Sequence, residues 1–157
     1  MNRRRPPCRS GTPKLLEHLN VPLAVLAALR VAGEKTPPTF EFGGRLVVRD
    51  RDVLRFEQGA NWVLEPRRFA CLPFPAPPHD CREIHIHSHP SPMFHPSDPD
   101  IEVALAKGWD VTAIYSVPLS SLAVWAIARD GSYEAVPIRR EHHGCRRPPL
   151  HRPGRRS

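Results

Sequence analysis

The sequence predicts an α/β (α+β) domain, a central mixed sheet flanked by helices, and three observations predict it. Segments with helical spacing interleave with short apolar runs of strand length. Apolar residues make up 40% of the 157 residues, enough for the core of one domain. The 20 prolines cluster at both ends and around residues 73–78, leaving a compact centre between loop-rich margins. The expected organisation is a disordered basic arm over 1–13, a folded domain over 14–141 and a disordered basic tail over 142–157.

A helical pattern starts at Lys14, where Leu15, Leu16 and Leu19 recur at helical spacing. Pro22 suits the first turn of a new helix, carried on by Leu23, Val25, Leu26, Leu29 and Val31. Gly33 is placed to end it, and Pro37-Pro38 forbids its continuation. Residues 40–48 read as a strand weakened or bent by Gly43-Gly44, and 53–56 as a second. Weaker strand candidates lie at 62–64 and 69–72, before a proline-rich loop over 73–81. Residues 83–89 alternate in character and read as a strand, with a loop over 90–98. A short helix over 100–107 follows, with Ser97 as its N-cap, Asp100 completing a capping box in place of Glu, and Gly108 as its stop. Two apolar strands at 111–117 and 122–128, an Asp130-Gly131 turn and a last strand at 133–138 complete the domain.

The formal charge of +7 belongs mainly to the ends, at Arg3–Arg5 and at Arg146, Arg147, Arg152, Arg155 and Arg156. Such tails can bind nucleic acid through counterion release, but a solvated extension is the plainer reading. No aromatic-interleaved basic motif is present, so nucleic acid is not the expected partner. The cysteines Cys8, Cys71, Cys81 and Cys145 form no CxxC pair, which argues against a four-cysteine zinc site. A Cys71–Cys81 disulfide is conceivable; reduced thiols in a cytoplasmic chain are the simpler expectation. Lys14, Glu17 and His18 interrupt any secretion-signal pattern, and the apolar run 21–29 is too short to span a bilayer.

The chemistry concentrates between His87 and Asp100. On a strand, His87 and His89 face the same side and can offer two imidazoles to one ion. Asp100, at a helix start beyond the loop, can add a carboxylate. Two histidines and a carboxylate suit catalytic zinc, with the fourth position left to a water whose pKa falls to about 7. A bare HxH is a weak signal, and His85 and His95 make the whole region histidine-rich. The full pattern is more specific: His87-x-His89, seven residues, Ser97, two residues, Asp100.

This H-x-H-x7-S-x2-D pattern resembles the signature of the JAMM (MPN-plus, JAB domain) zinc metalloproteases, especially their small prokaryotic members. The likeness includes the HSHPSP filling and extends loosely from Pro22 to Ile138. It implies that His87, His89 and Asp100 hold Zn2+ in a JAMM-like curved sheet, with the site at the sheet edge. It also implies an upstream glutamate that takes the proton of the zinc-bound water and returns it to the leaving amine. Glu41, after Pro37-Pro38 and at the opening of EFGGRLVV, is the candidate. Glu34, Glu57, Glu65 and Glu83 are rivals, Glu83 because it shares strand parity with the ligands.

By the same resemblance, the Ser97 hydroxyl stabilises an oxyanion; it also reads as a plain N-cap, and the two are compatible. His85 reads as a buried or supporting histidine rather than a ligand. His95 is a loop residue that either touches substrate or faces solvent. The strand after Glu41 departs from the family at Arg45 and Val48. Family members cut after the Gly-Gly terminus of ubiquitin-like proteins, and small prokaryotic relatives process sulfur carriers of that fold. The implied activity is therefore a zinc metallopeptidase or isopeptidase acting on such a partner. The alternative is a non-catalytic JAMM-fold scaffold that binds a ubiquitin-like partner.

Overall fold

The structure, a computed structural model, describes residues 16–59, 61–65, 68–71 and 74–141. The expected arm and tail, at 1–13 and 142–157, lie outside the described residues. In chain order the elements are β1 (Leu19–Pro22), α1 (Leu23–Lys35), β2 (Gly43–Arg49), β3 (Asp52–Gln58), β4 (Asn61–Glu65), β5 (Arg68–Cys71) and β6 (Arg82–His89). They continue as α2 (Asp98–Lys107), β7 (Val111–Ser116), β8 (Ser121–Ile127), β9 (Tyr133–Ala135) and β10 (Ile138–Glu141). Eight strands form one mixed sheet in the order β10-β1-β3-β2-β6-β7-β8-β9, and β4 and β5 pair separately as a hairpin.

Alternation along the central strands sorts the sheet into two faces. Leu46 and Val48, Ile84 and Ile86, Ala113 and Tyr115, and Val124 join one apolar cluster with Val25, Leu29 and Ala32 of α1. The intervening residues, among them Arg45, His85, His87, His89, Thr112 and Ser116, project from the other face. There α2 crosses between the parallel strands β6 and β7, as a parallel pair requires. A binding crevice is expected at the carboxyl end of such a strand, and β6 ends at His89.

The sheet curls. Strands β9 and β10 occupy its opposite edges, yet only Val136 and Pro137 separate them in sequence. Both residues stitch the edges: Val136 donates to the Val124 carbonyl at 2.8 Å, and Leu19 donates to that of Pro137 at 2.9 Å. The single last strand expected at 133–138 is thus two short ones, broken at Pro137.

Three other boundaries differ from expectation. Leu19 does not extend a helix: it lies in β1, where Leu19 and Val21 are buried in alternation and pair with β10 in parallel. Helix α1 runs two residues past Gly33, which packs against Tyr115 and Val117, and stops before Pro37. Strand β2 starts at Gly43 rather than Phe40, so Glu41 precedes the strand. Gly44 has a steric role, because a Cβ there would run into the Glu57 main-chain oxygen. Among the described residues no helix is long and apolar enough to cross a membrane.

Candidate metal centre

Antiparallel pairing places Gly43 opposite His87 and Arg45 opposite His85. Continuing that register beyond β2 sets Phe42 against Ser88, and the bond from the Ser88 amide to the Phe42 carbonyl at 2.9 Å bears this out. Glu41 then stands opposite His89, on the face that carries His87. Its charge reaches His89 and favours the protonated imidazole.

Helix α2 delivers the third ligand candidate. Its capping box forms as the sequence predicts. The Ser97 amide and hydroxyl donate to Asp100 Oδ2 at 2.8 and 2.7 Å, and the Asp100 amide donates to Ser97 Oγ at 3.4 Å. This pins the Asp100 carboxylate at the positive end of the helix dipole. Asp100 Oδ1 lies 3.1 Å from His87 Nε2, and Oδ2 lies 3.4 Å from His89 Nε2. The two imidazole nitrogens are 3.1 Å apart. One ligand atom from each of His87, His89 and Asp100 falls within 4.8 Å of the others, a set that can hold a metal ion.

The protonation pattern suits a cation. His89 Nδ1 lies 2.9 Å from the Met93 carbonyl, which can only accept, so Nδ1 carries the hydrogen. In the neutral ring Nε2 is then left as the lone-pair atom, as in metal-binding histidines held by a carbonyl. Burial opposes the charged form of His89, but its hydrogen bonds to Asp100 and to the Met93 carbonyl and the charges of Asp100 and Glu41 outweigh it and raise its pKa. Burial also opposes ionisation of Asp100; hydrogen bonds from His87, His89 and Ser97 and the His87 charge hold it well below the usual carboxylate range.

His85 is half-buried and stacks on Trp109, with ring centroids 4.3 Å apart. Burial, with the neighbouring His87 charge, lowers its pKa to about 4, so it is neutral at pH 7. The rival glutamates are engaged elsewhere. Glu34 pairs with Arg30 on α1, Glu57 with Arg45 and Arg55, and Glu83 with Arg45. The Glu65 side chain lies outside the described residues.

The loop between the ligands is clamped to the sheet by residues that sequence spacing does not reveal. Trp125 Nε1 donates to the Phe94 carbonyl at 2.8 Å, and Ser116 Oγ donates to that of Ser91 at 3.0 Å. His95 is exposed and packs between the Phe94 and Trp125 rings, and Tyr133 meets Trp125 edge-on. Only the sheet register brings β8 beneath this loop, so no local motif announces Trp125.

Comparison with solved structures agrees with this architecture. A JAB1/MPN domain protein from Archaeoglobus fulgidus shares 20% identity at a TM-score of 0.50, over 76% of this chain and 98% of its own. A protein from Desulfitobacterium hafniense shares 18% identity at a TM-score of 0.58, over 78% of this chain and 92% of its own. A third, from Salinibacter ruber, shares 20% identity at a TM-score of 0.51, over 80% and 94%. No family model matches the sequence, and no curated protein does. The chain has the JAB1/MPN (JAMM/MPN) fold, the architecture that the H-x-H-x7-S-x2-D pattern implied.

Proposed function

We propose that this chain is a zinc-dependent peptidase or isopeptidase that cuts after the C-terminus of a ubiquitin-like or sulfur-carrier protein. One observation carries the reading. The Glu41 charge reaches His89, one of three residues that together could hold a metal, which supports a proton acceptor beside that cluster. A metal bound there would supply a Lewis acid that polarises the scissile carbonyl and makes water acidic.

The chain's own residues do the rest. His87, His89 and Asp100 hold the cation. The Glu41 carboxylate takes a proton from the attacking water as its oxygen bonds to the carbonyl carbon. It then gives that proton to the nitrogen as the carbon–nitrogen bond breaks, leaving an amine and a carboxylic acid whose own proton passes to the amine or to water. Ser97 Oγ, turning from Asp100 Oδ2, donates to the carbonyl oxygen as negative charge builds there. An extended substrate tail suits a cleft beside a sheet edge, and Gly-Gly is the sequence that leaves its backbone most accessible.

The test is metal analysis joined to a cleavage screen on fusions of ubiquitin-like and sulfur-carrier proteins. The expected outcome is about one zinc per chain and cleavage after the modifier's terminus. Glu41→Gln should keep its zinc and lose about 100-fold or more in kcat. Protein that binds no zinc would sink the reading. Zinc binding with no cleavage of any fusion would favour the scaffold instead.

A further inference from the structure

The row of the sheet next to Glu41 is held in a distinctive way. In a hydrogen-bonded antiparallel pair, two opposed residues exchange both main-chain bonds. Ser88 and Phe42 make only one of them, from the Ser88 amide to the Phe42 carbonyl. The Phe42 amide donates instead to Ser88 Oγ, at 2.8 Å, and both residues are fully buried. Regular pairing of β2 with β6 stops one row earlier, at Gly43 opposite His87. There one main-chain bond and a hydroxymethyl group together set how far the chain bearing Glu41 stands from β6.

We infer that Ser88 is a positioning residue, whose hydroxyl accepts the Phe42 amide and so fixes the distance of Glu41 from the three ligand side chains. The inference rests on the reading of Glu41 as the proton carrier given above. By strand alternation Ser88 projects away from the ligand face, so it has no part in holding the cation. Its removal has two possible consequences. Either the Phe42 amide is left without an acceptor in a buried row, or it falls back on the Ser88 carbonyl and draws Glu41 toward β6. In both cases His87, His89 and Asp100 keep their places, and only the proton carrier moves.

The experiment compares the full chain with Ser88→Ala and Ser88→Thr. It measures zinc content, hydrogen exchange of the Phe42 amide by NMR, and steady-state cleavage of the best fusion from the screen. Ser88→Ala should keep about one zinc per chain while its Phe42 amide exchanges about 10-fold faster. Its kcat should fall about 10- to 100-fold with KM nearly unchanged, because misplacing a catalytic group by about 1 Å costs that much. Ser88→Thr, which keeps the hydroxyl, should restore kcat. Wild-type kcat in Ser88→Ala, or loss of zinc in parallel with kcat, would overturn the inference. If the wild type cuts no fusion, the proton-carrier reading fails by itself, and the Phe42 amide still decides whether the hydroxyl holds this row: faster exchange in Ser88→Ala supports that hold, and unchanged protection overturns it.

Discussion

Two clusters of polar groups, each built on buried side chains, share one face of the sheet, and they are built in opposite ways. Around Arg45, unlike charges meet. Its Nε lies 2.7 Å from Glu57 Oε2, and its Nη1 lies 2.9 Å from Glu83 Oε2 and 2.6 Å from the Pro75 carbonyl. The Phe74 ring covers the guanidinium at 4.6 Å. Around His87 and His89, two imidazole nitrogens and two carboxylate oxygens converge at 3.1 to 3.4 Å. The first cluster is closed, because the chain supplies both signs. The second gains positive charge from a proton on an imidazole and would gain more from a bound cation. Burial and charge alone therefore do not separate the two clusters; convergence of three potential ligand atoms on one point does.

The sharpest way to break this contrast is to remove a member of each cluster. Asp100→Ala should lower zinc affinity by more than about 100-fold, measured by competition with a chelator, because the only carboxylate of the set is gone. Unchanged affinity would show that the metal, if any, sits elsewhere. Arg45→Met should leave zinc stoichiometry intact and cost about 1–2 kcal/mol in urea unfolding, since two partly exposed glutamates and the Pro75 carbonyl lose their donor. A variant that lost zinc at unchanged stability would reverse the roles assigned to the two clusters.

The cluster that could hold a metal is legible because its signals are local. Strand alternation puts His87 and His89 together, and a capping box fixes Asp100 at a helix start. What stayed hidden depends on distant pairing. Leucine spacing at Leu15, Leu16 and Leu19 fits a helix, but Leu19 enters a strand because β10, from the far end of the domain, pairs with it. Arg45 read as an interruption in an apolar strand; it is buried because Glu57 and Glu83 stand beside it on neighbouring strands. The family resemblance picks Glu41 over its rivals; that its charge reaches His89 depends on the pairing of β2 with β6, which no spacing in the sequence contains.

Acidity gives a smaller and more graded test. The raised pKa of His89 means that its protonated form stabilises the fold. That contribution is full below the ordinary imidazole value of about 6.5 and is lost as pH rises through the raised one. The depressed pKa of Asp100 contributes above the ordinary carboxylate value of about 4 and is lost as pH falls through the lower one. The metal-free protein therefore gains most from this pair between about pH 4 and 6.5. A metal ion must displace the His89 proton, so the zinc-induced rise in Tm should be small at about pH 5.5 and grow toward pH 8, by at most about 1.4 kcal/mol per pH unit for one proton. Thermal unfolding with and without zinc across that range measures it. A gain independent of pH would show that His89 binds no proton in the metal-free cluster.

The smallest effect separates the two readings of Ser97. As an N-cap its hydroxyl is worth about 1 kcal/mol, so Ser97→Ala should lower stability by about that amount in denaturant unfolding. Ser97→Gly keeps most of that stability, because glycine is a tolerated N-cap, but it has no hydroxyl to donate. If the hydroxyl serves only as a cap, kcat recovers in Ser97→Gly along with stability. If it also donates to the carbonyl oxygen of the substrate, stability recovers and kcat stays about 10- to 1,000-fold down. The hydrogen bond that Ser97 Oγ gives to Asp100 Oδ2 sharpens the distinction. One hydrogen serves both acceptors, so the oxyanion role requires the hydroxyl to rotate during turnover. Ser97→Thr, which keeps the hydroxyl, should then restore both stability and kcat.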